Sequence, residues 1–358
     1  MSGLAPVWDA AADELSTTMR AAIFSGPGRA LEITTIARPD PSPGEVLVRV
    51  SACGLCHSDL HYLDHGVPTF KTPPLVLGHE ISGTVVRVGA GVDPALAGTS
   101  VLLGPVTTCG ACVPCRTGRE NICASQRMLG NSVDGGFAEF VTAPARDAFP
   151  IPPEVPLEEA SVIADALTTA FHAVTRRARV AAGETVVVYG CGGLGLNVVQ
   201  VCALVGARVV AVDVDARKLA LAAELGASLA IDARDGDPAK RVRRETDGGA
   251  DVAIEAIGLP KTQEQALASL RTGGRLVLLG YAAEPMALAG GRVTYRELTV
   301  IGTLGCRPVD FPTVLGLVRD GKLVIGPLVT HRHILDGINE GLDALRRGDG
   351  VRHIVVFP

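Results

Sequence analysis

The sequence predicts an α/β protein of two domains, a β-barrel followed by a doubly wound parallel sheet. Three observations carry this reading. The chain has 358 residues, and at roughly 100–200 residues per domain that is enough for two, each able to bury its own core. From about Leu157 onward, candidate strands alternate with candidate helices, the signature of a parallel sheet. Before Pro150, short apolar runs are separated by Gly and Pro turns and helical periodicity is weak, as in a compact barrel with long loops.

The elements follow in order. Residues 1–18 read as an extension, an arm or a surface helix, with helix formers at Ala10–Leu15. Glu45–Val50 and Thr84–Val88 are predicted strands of the barrel. Leu157–Val174 is a helical candidate. Strands Thr185–Tyr189, Arg208–Val212, Asp251–Ala256 and Arg275–Leu279 then alternate with helices Leu194–Val205, Ala216–Leu225 and Lys261–Leu270. Thr299–Thr303 adds a last strand to that sheet, and Ile354–Phe357 is a strand that returns to the first domain.

Composition excludes several function classes. A hydrophobic share of 47% with 20% charged residues is an ordinary globular balance and excludes a disordered chain. Aromatics are only 4%, so the cores must be built from Ala, Val, Leu and Ile. The net charge of −5 comes without a basic stripe, which argues against nucleic acid as a partner. The stretch before Arg20 holds Asp9, Asp13 and Glu14, unlike a secretory or transit signal. Thr185–Ala207 runs 23 residues without a formal charge. It contains four glycines of a turn plus Asn197 and Gln200, so it reads as strand, turn and helix and not as a membrane span. Nine cysteines, an odd number without an export signal, with four clustered inside fifteen residues, favour metal binding in a reducing cytoplasm over disulfides.

Strand 185–189 runs into Gly190-Cys191-Gly192-Gly193-Leu194-Gly195, and a helix follows. In this G-x-G-x-x-G, the first glycine permits the tight turn, the second lets backbone approach a pyrophosphate, and the third lets helix and strand pack closely. Asp213 ends the next strand, 18 residues after Gly195. A carboxylate there accepts from both ribose hydroxyls and repels a 2′-phosphate, which predicts NAD over NADP. Cys109, Cys112, Cys115 and Cys123 form C-x2-C-x2-C-x7-C. Four thiolates fill the tetrahedral shell of a structural zinc; an iron–sulfur cluster is the other metal reading of the same four residues.

Cys56-His57-Ser58-Asp59-Leu60-His61 and Gly78-His79-Glu80 complete the set. With the cysteine lobe and the glycine loop, in that order, the chain from about Arg20 to Pro358 resembles the zinc-dependent medium-chain alcohol dehydrogenases. The resemblance implies a GroES-like barrel as catalytic domain and a Rossmann-type nucleotide domain. It divides the chain into an extension at 1–18, a catalytic domain at 19–163 with a zinc lobe at 105–125, an NAD domain at 164–307, and a return to the catalytic domain at 308–358. It further implies two zinc ions per chain, NAD, an alcohol or carbonyl substrate, and a homodimer or homotetramer.

Residue by residue, the resemblance implies that Cys56 and His79 ligate the catalytic zinc, with Glu80 behind the metal and Asp59 orienting His79. Ser58 takes the substrate proton, which passes through a cofactor ribose hydroxyl to His61. His57 and Arg352 match pyrophosphate contacts, Lys218 a ribose contact, and Thr169 a residue packed on the nicotinamide; Gly193 and Leu194 belong to the glycine loop. The third zinc ligand is Cys in the best-known members, whereas Asp165 stands there in this chain. Members with an acid at this place include formaldehyde and polyol dehydrogenases and dehydrogenases of alicyclic hydroxyacyl-CoA compounds. Zinc accepts carboxylate oxygen as well as sulfur, and the formal charge is unchanged. The alternative for Asp165 is a helix N-cap. Tyr62, Leu129 and Leu304 are candidate pocket walls, and the aliphatic character points to an apolar or alicyclic alcohol. Zinc-free quinone and enoyl reductases of the same superfamily lack the Cys56/His79 pair and the lobe.

Overall fold

The computed structural model describes residues 16–358, so all but the end of the 1–18 extension lies outside the described residues. The chain forms two units. One comprises the chain up to Thr107, Arg127–Ala164 and His331–Pro358; the other comprises Thr108–Gln126 and Asp165–Thr330.

The first unit is built around the long strand Glu45–Leu55. It pairs antiparallel with Glu80–Val88, Phe140–Pro144 and the tail strand Arg352–Val356. Its alternate residues Val46, Val48 and Val50 enter the core with Ile81, Leu103 and Phe137, the two-residue period of a strand, while Leu47 on the other face is buried too. The tail pairs in the register His353↔Leu55 to Val356↔Ala52. The expected return of the C-terminus to the first unit is thus an antiparallel strand. Cys53 is fully buried in this core. Tyr62 and Leu129 belong to the same cluster, and Leu129 also lines a cavity of this unit; Leu304 is 56% exposed.

The second unit contains a six-stranded parallel sheet. Its order is Ala227–Asp232, Arg208–Asp213, Thr185–Tyr189, Ala250–Glu255, Leu270–Leu278, Thr299–Gly302. Numbered within the sheet this is 3-2-1-4-5-6, the doubly wound order whose ligand crevice lies at the carboxyl ends of strands 1 and 4. Val186 to Tyr189 are all buried, as helices on both faces of a parallel sheet require. The strand Ala227–Asp232 and the helix Pro238–Glu245 were not anticipated from the sequence. Residues 108–126 group with this unit and not with the first, to which the sequence reading gave them. Asn121 donates to the Leu304 carbonyl at 2.8 Å and Arg307 to the Gly118 carbonyl at 3.1 Å. Residues 308–330 also belong here, so the return to the first unit begins at His331.

Residues 161–178 are helical throughout, but the turn Ile163–Leu167 is a π-turn, as is Ala173–Ala178. The helix ends at Arg179, which is left-handed at φ 52°. Among the described residues, no helix is long and apolar enough to cross a membrane.

Candidate metal and nucleotide sites

Strand Glu45–Leu55 ends one residue before Cys56, which caps the helix His57–Asp64. The Asp59 carboxylate accepts the Cys56 N–H at 3.0 Å, closing a capping box that fixes the start of this helix. His79 precedes the strand Glu80–Val88, which lies beside Glu45–Leu55. Two adjacent strands thus bring Cys56, His79 and Glu80 together. All three are buried, and each offers a donor atom within 4.8 Å of the others. Thiolate, imidazole and carboxylate are the donors zinc takes in catalytic sites.

Asp59 lies 3.9 Å from His79 Nδ1, a charge contact and not a hydrogen bond. Burial raises the Asp59 carboxyl above its ordinary range; His79 and the Cys56 N–H pull the other way. Glu80 is fully buried and pairs with Arg352. Its partner Arg352 is the residue that the family resemblance matches to a pyrophosphate contact. It is 4% exposed and serves as counter-charge to Glu80 inside the first unit.

Ser58 Oγ lies 3.6 Å from Cys56 Sγ. His57, the first helical residue, is exposed. His61, partly buried, has its Nδ1 3.0 Å from Nδ1 of His65 one turn further on. Burial, then the neighbouring His65, holds the His61 pKa below its ordinary value. His65 was not singled out from sequence, although the His-x3-His spacing on a helix carries the signal.

The four lobe sulfurs are 3.4–3.9 Å apart in their close pairs. Zinc with Zn–S near 2.3 Å in a tetrahedron requires separations of about 3.8 Å. All four cysteines are free thiols. The spacing fits one ion and disfavours a cluster whose thiolates bind separate irons. Backbone N–H groups of Ala111 and Cys112 point at Cys109 Sγ at 3.4 and 3.3 Å. They lower its pKa to about 6, whereas burial pushes Cys115 up to about 12.

In the glycine loop, Gly190 has φ +92°, and a Cβ there would strike Ile257. A Cβ at Gly195 would overlap the Gly190 carbonyl, whereas one at Gly192 would meet nothing within 4 Å. The backbone is therefore packed at the first and third glycines and open at the second, where a pyrophosphate has to approach. The helix Gly193–Leu204 starts there, with Leu194 in its first turn. Asp213 Oδ2 accepts the Cys191 N–H at 2.6 Å, and Oδ1 accepts from Val214 and Asp215. The carboxylate is thereby held at the crevice edge beside the loop. Lys218 lies in the first turn of Ala216–Glu224, half-buried. Glu255, missed in the sequence, ends strand 4 fully buried and accepts from Ile257, Gly258 and Thr262. It shapes the loop facing Gly190.

Asp165 follows Ala164, the last residue of that segment of the first unit, and sits in the middle of the π-turn Ile163–Leu167. Helix precedes it from residue 161, so it is not an N-cap, whose backbone must be non-helical. The Thr169 hydroxyl donates to Asp165 Oδ1 at 2.6 Å, and Thr169 is buried.

Comparison with known proteins identifies the family. Residues 42–153 match the alcohol dehydrogenase GroES-like domain and residues 193–320 the zinc-binding dehydrogenase family. An alcohol dehydrogenase of Rhizobium meliloti is 36% identical over 86% of this chain and 90% of its own length. An L-threonine 3-dehydrogenase of Bacillus licheniformis is 35% identical over 90% and 93%. An alcohol dehydrogenase of E. coli CFT073, solved with NADH, superposes with a TM-score of 0.88 at 30% identity, covering 96% of this chain and all of that one. The chain belongs to the zinc-dependent medium-chain alcohol dehydrogenase family.

Proposed function

We propose that the protein oxidises an apolar or alicyclic alcohol to the aldehyde or ketone with NAD, at a zinc site made by Cys56, His79 and Asp165. The observation that carries this reading is the convergence of the Cys56, His79 and Glu80 donor atoms within 4.8 Å, in a chain whose other unit is a dinucleotide-type sheet. When bound, zinc supplies a Lewis acid for the substrate oxygen and NAD the hydride acceptor. The remaining work falls to the chain's own residues. Ser58 takes the hydroxyl proton and His61 carries it outward. A His61 pKa below the ordinary value keeps the ring neutral at pH 7 and able to accept. His65, at 3.0 Å, extends that path.

Asp165 as third ligand is supported by its match to the family's ligand position and by its charge, which equals that of a thiolate. Its place in a π-turn, a distortion often found at functional sites, adds to this. The Thr169 hydroxyl orients one of its oxygens. Glu80, neutralised by Arg352, takes the role behind the metal. Asp213 selects NAD by repelling a 2′-phosphate. Nine free cysteines fit a reducing cytoplasm, and the family resemblance implies a homodimer or homotetramer.

The test is a panel of primary, secondary, cyclic and polyol alcohols together with L-threonine, read by NADH absorbance on protein of known zinc content. The expected result is two zinc ions per chain and the highest kcat/KM on an apolar or cyclic alcohol. Preference for a polyol or threonine would overturn the substrate class. Absence of any alcohol-dependent NADH formation on metallated protein would overturn the activity.

A further inference from the structure

The second unit holds a cavity of about 780 Å³ where the cysteine lobe meets the end of the 161–178 helix and the loop after strand 6. This lies within the usual range of small-molecule sites. Five guanidiniums line it: Arg119 from the lobe, Arg176, Arg177 and Arg179 from the helix end, and Arg307 from the loop. No acidic side chain lines it. Beneath it Asp310, fully buried, is held by Arg176 at 2.9 Å and Arg307 at 3.1 Å, with His172 at 3.7 Å. Burial alone would raise that carboxyl, but the bonds from His172, Arg307 and Arg176 outweigh it and hold it ionised. One negative charge therefore answers two arginines. Arg177 donates Nε to the Gly302 carbonyl at 2.9 Å, a neutral acceptor. Among the described residues, Arg119, Arg177 and Arg179 have no carboxylate partner.

Arginines at a helix C-terminus complement its dipole, which accounts for part of this cluster. It does not account for Arg119, which comes from a different element. Like charges converging on one concavity without counter-charge repel one another, and an anion relieves that repulsion. The guanidiniums approach from three elements. A tetrahedral phosphate can take forks from several directions, whereas a planar carboxylate takes one in its plane. Thr117, Thr175 and Thr303 line the same space, the first two with their hydroxyl protons given to the carbonyls of Val113 and Phe171.

We propose that this cavity is a binding site for a small molecule carrying two or more phosphate charges, separate from the glycine loop. The test is calorimetric titration of inorganic pyrophosphate into the zinc-loaded protein saturated with NADH, so that the nucleotide site is filled. Citrate, a planar-carboxylate polyanion that also chelates metal, serves as comparator. The expected result is one pyrophosphate per chain, weakened steeply by salt and bound at least about ten-fold more tightly than citrate. The variant carries Arg119→Ser and Arg179→Gly. Glycine suits the left-handed backbone at position 179, and neither change touches the Asp310 cluster. Pyrophosphate affinity should fall at least about ten-fold in it, with NADH affinity and melting temperature unchanged. Absence of binding to the unmodified protein, equal affinity in the variant, or citrate binding as tightly as pyrophosphate would each overturn the proposal.

Discussion

The two metal sites are built in opposite ways. The lobe collects its four sulfurs from residues 109–123, a single excursion closed by turns and by backbone N–H bonds to sulfur. The Cys56/His79 group depends on strand register: Glu45–Leu55 and Glu80–Val88 must pair as they do for its donors to meet. The lobe is partly exposed, the other group buried. A shell made locally needs only the metal to hold it. A shell made by the fold is set by the surrounding sheet, which is where an open coordination position can be kept for substrate.

The sharpest way to break this contrast is Asp165→Ala. It should lose the catalytic zinc and more than about 100-fold in turnover, beyond the roughly 10–100-fold typical of an outer partner, while the lobe zinc and NAD binding survive. Zinc stoichiometry with turnover decides it, and one zinc retained at each site with full activity would refute the ligand role. Asp165→Cys should restore the zinc. Next is His61→Gln, expected to slow alcohol oxidation about 10–100-fold near neutral pH and progressively less as hydroxide replaces the lost base. The His61 pKa lies below the ordinary ~6.5, so in the unmodified protein the rate should fall only as pH drops through that lower value. A pH–rate profile of the variant parallel to that of the unmodified protein would remove His61 from the path. His65→Ala should reproduce the same profile change at a few-fold.

A comparable effect on selectivity is expected from Asp213→Ala. Loss of a charged acceptor and of repulsion should narrow the NAD-over-NADP ratio of kcat/KM about ten-fold or more; an unchanged ratio would place the selectivity elsewhere. The mildest effect on chemistry should come from the lobe. Cys115→Ser should cost one zinc and lower Tm by about 6–12 °C, for a loss near ~3 kcal/mol. It should leave kcat of the folded fraction within a factor of about two. A larger fall in kcat would show that the lobe is not merely structural.

Legibility in the sequence followed the same divide. The lobe, the glycine loop and strand 185–189 were readable because their determinants are contiguous. The strand Ala227–Asp232 was not, because as an edge strand it alternates half-buried and exposed positions and carries little apolar signal. The helix Pro238–Glu245 buries only Pro238, Ala239 and Val242 among charged residues, leaving too narrow a stripe to read. Cys56, His79 and Asp165 could be named only through family resemblance, since nothing local distinguishes a ligating His from a packed one. The π-turn at Ile163–Leu167 has no residue pattern of its own, and it is what removes the N-cap alternative for Asp165. The pairing of Arg352 with Glu80 spans 272 residues, and no spacing rule reaches that far.

That pairing ties the metal-side acid to a strand made long after it. Until Arg352 leaves the ribosome and its strand adds to Ala52–Leu55, Glu80 would have to be buried without this counter-charge, at a cost of several kcal/mol. The first unit therefore cannot settle on residues 45–88 alone; it waits for residues 352–356. Removing the Arg352–Val356 strand would take away the cation beside Glu80, so one strand serves both as sheet and as charge balance.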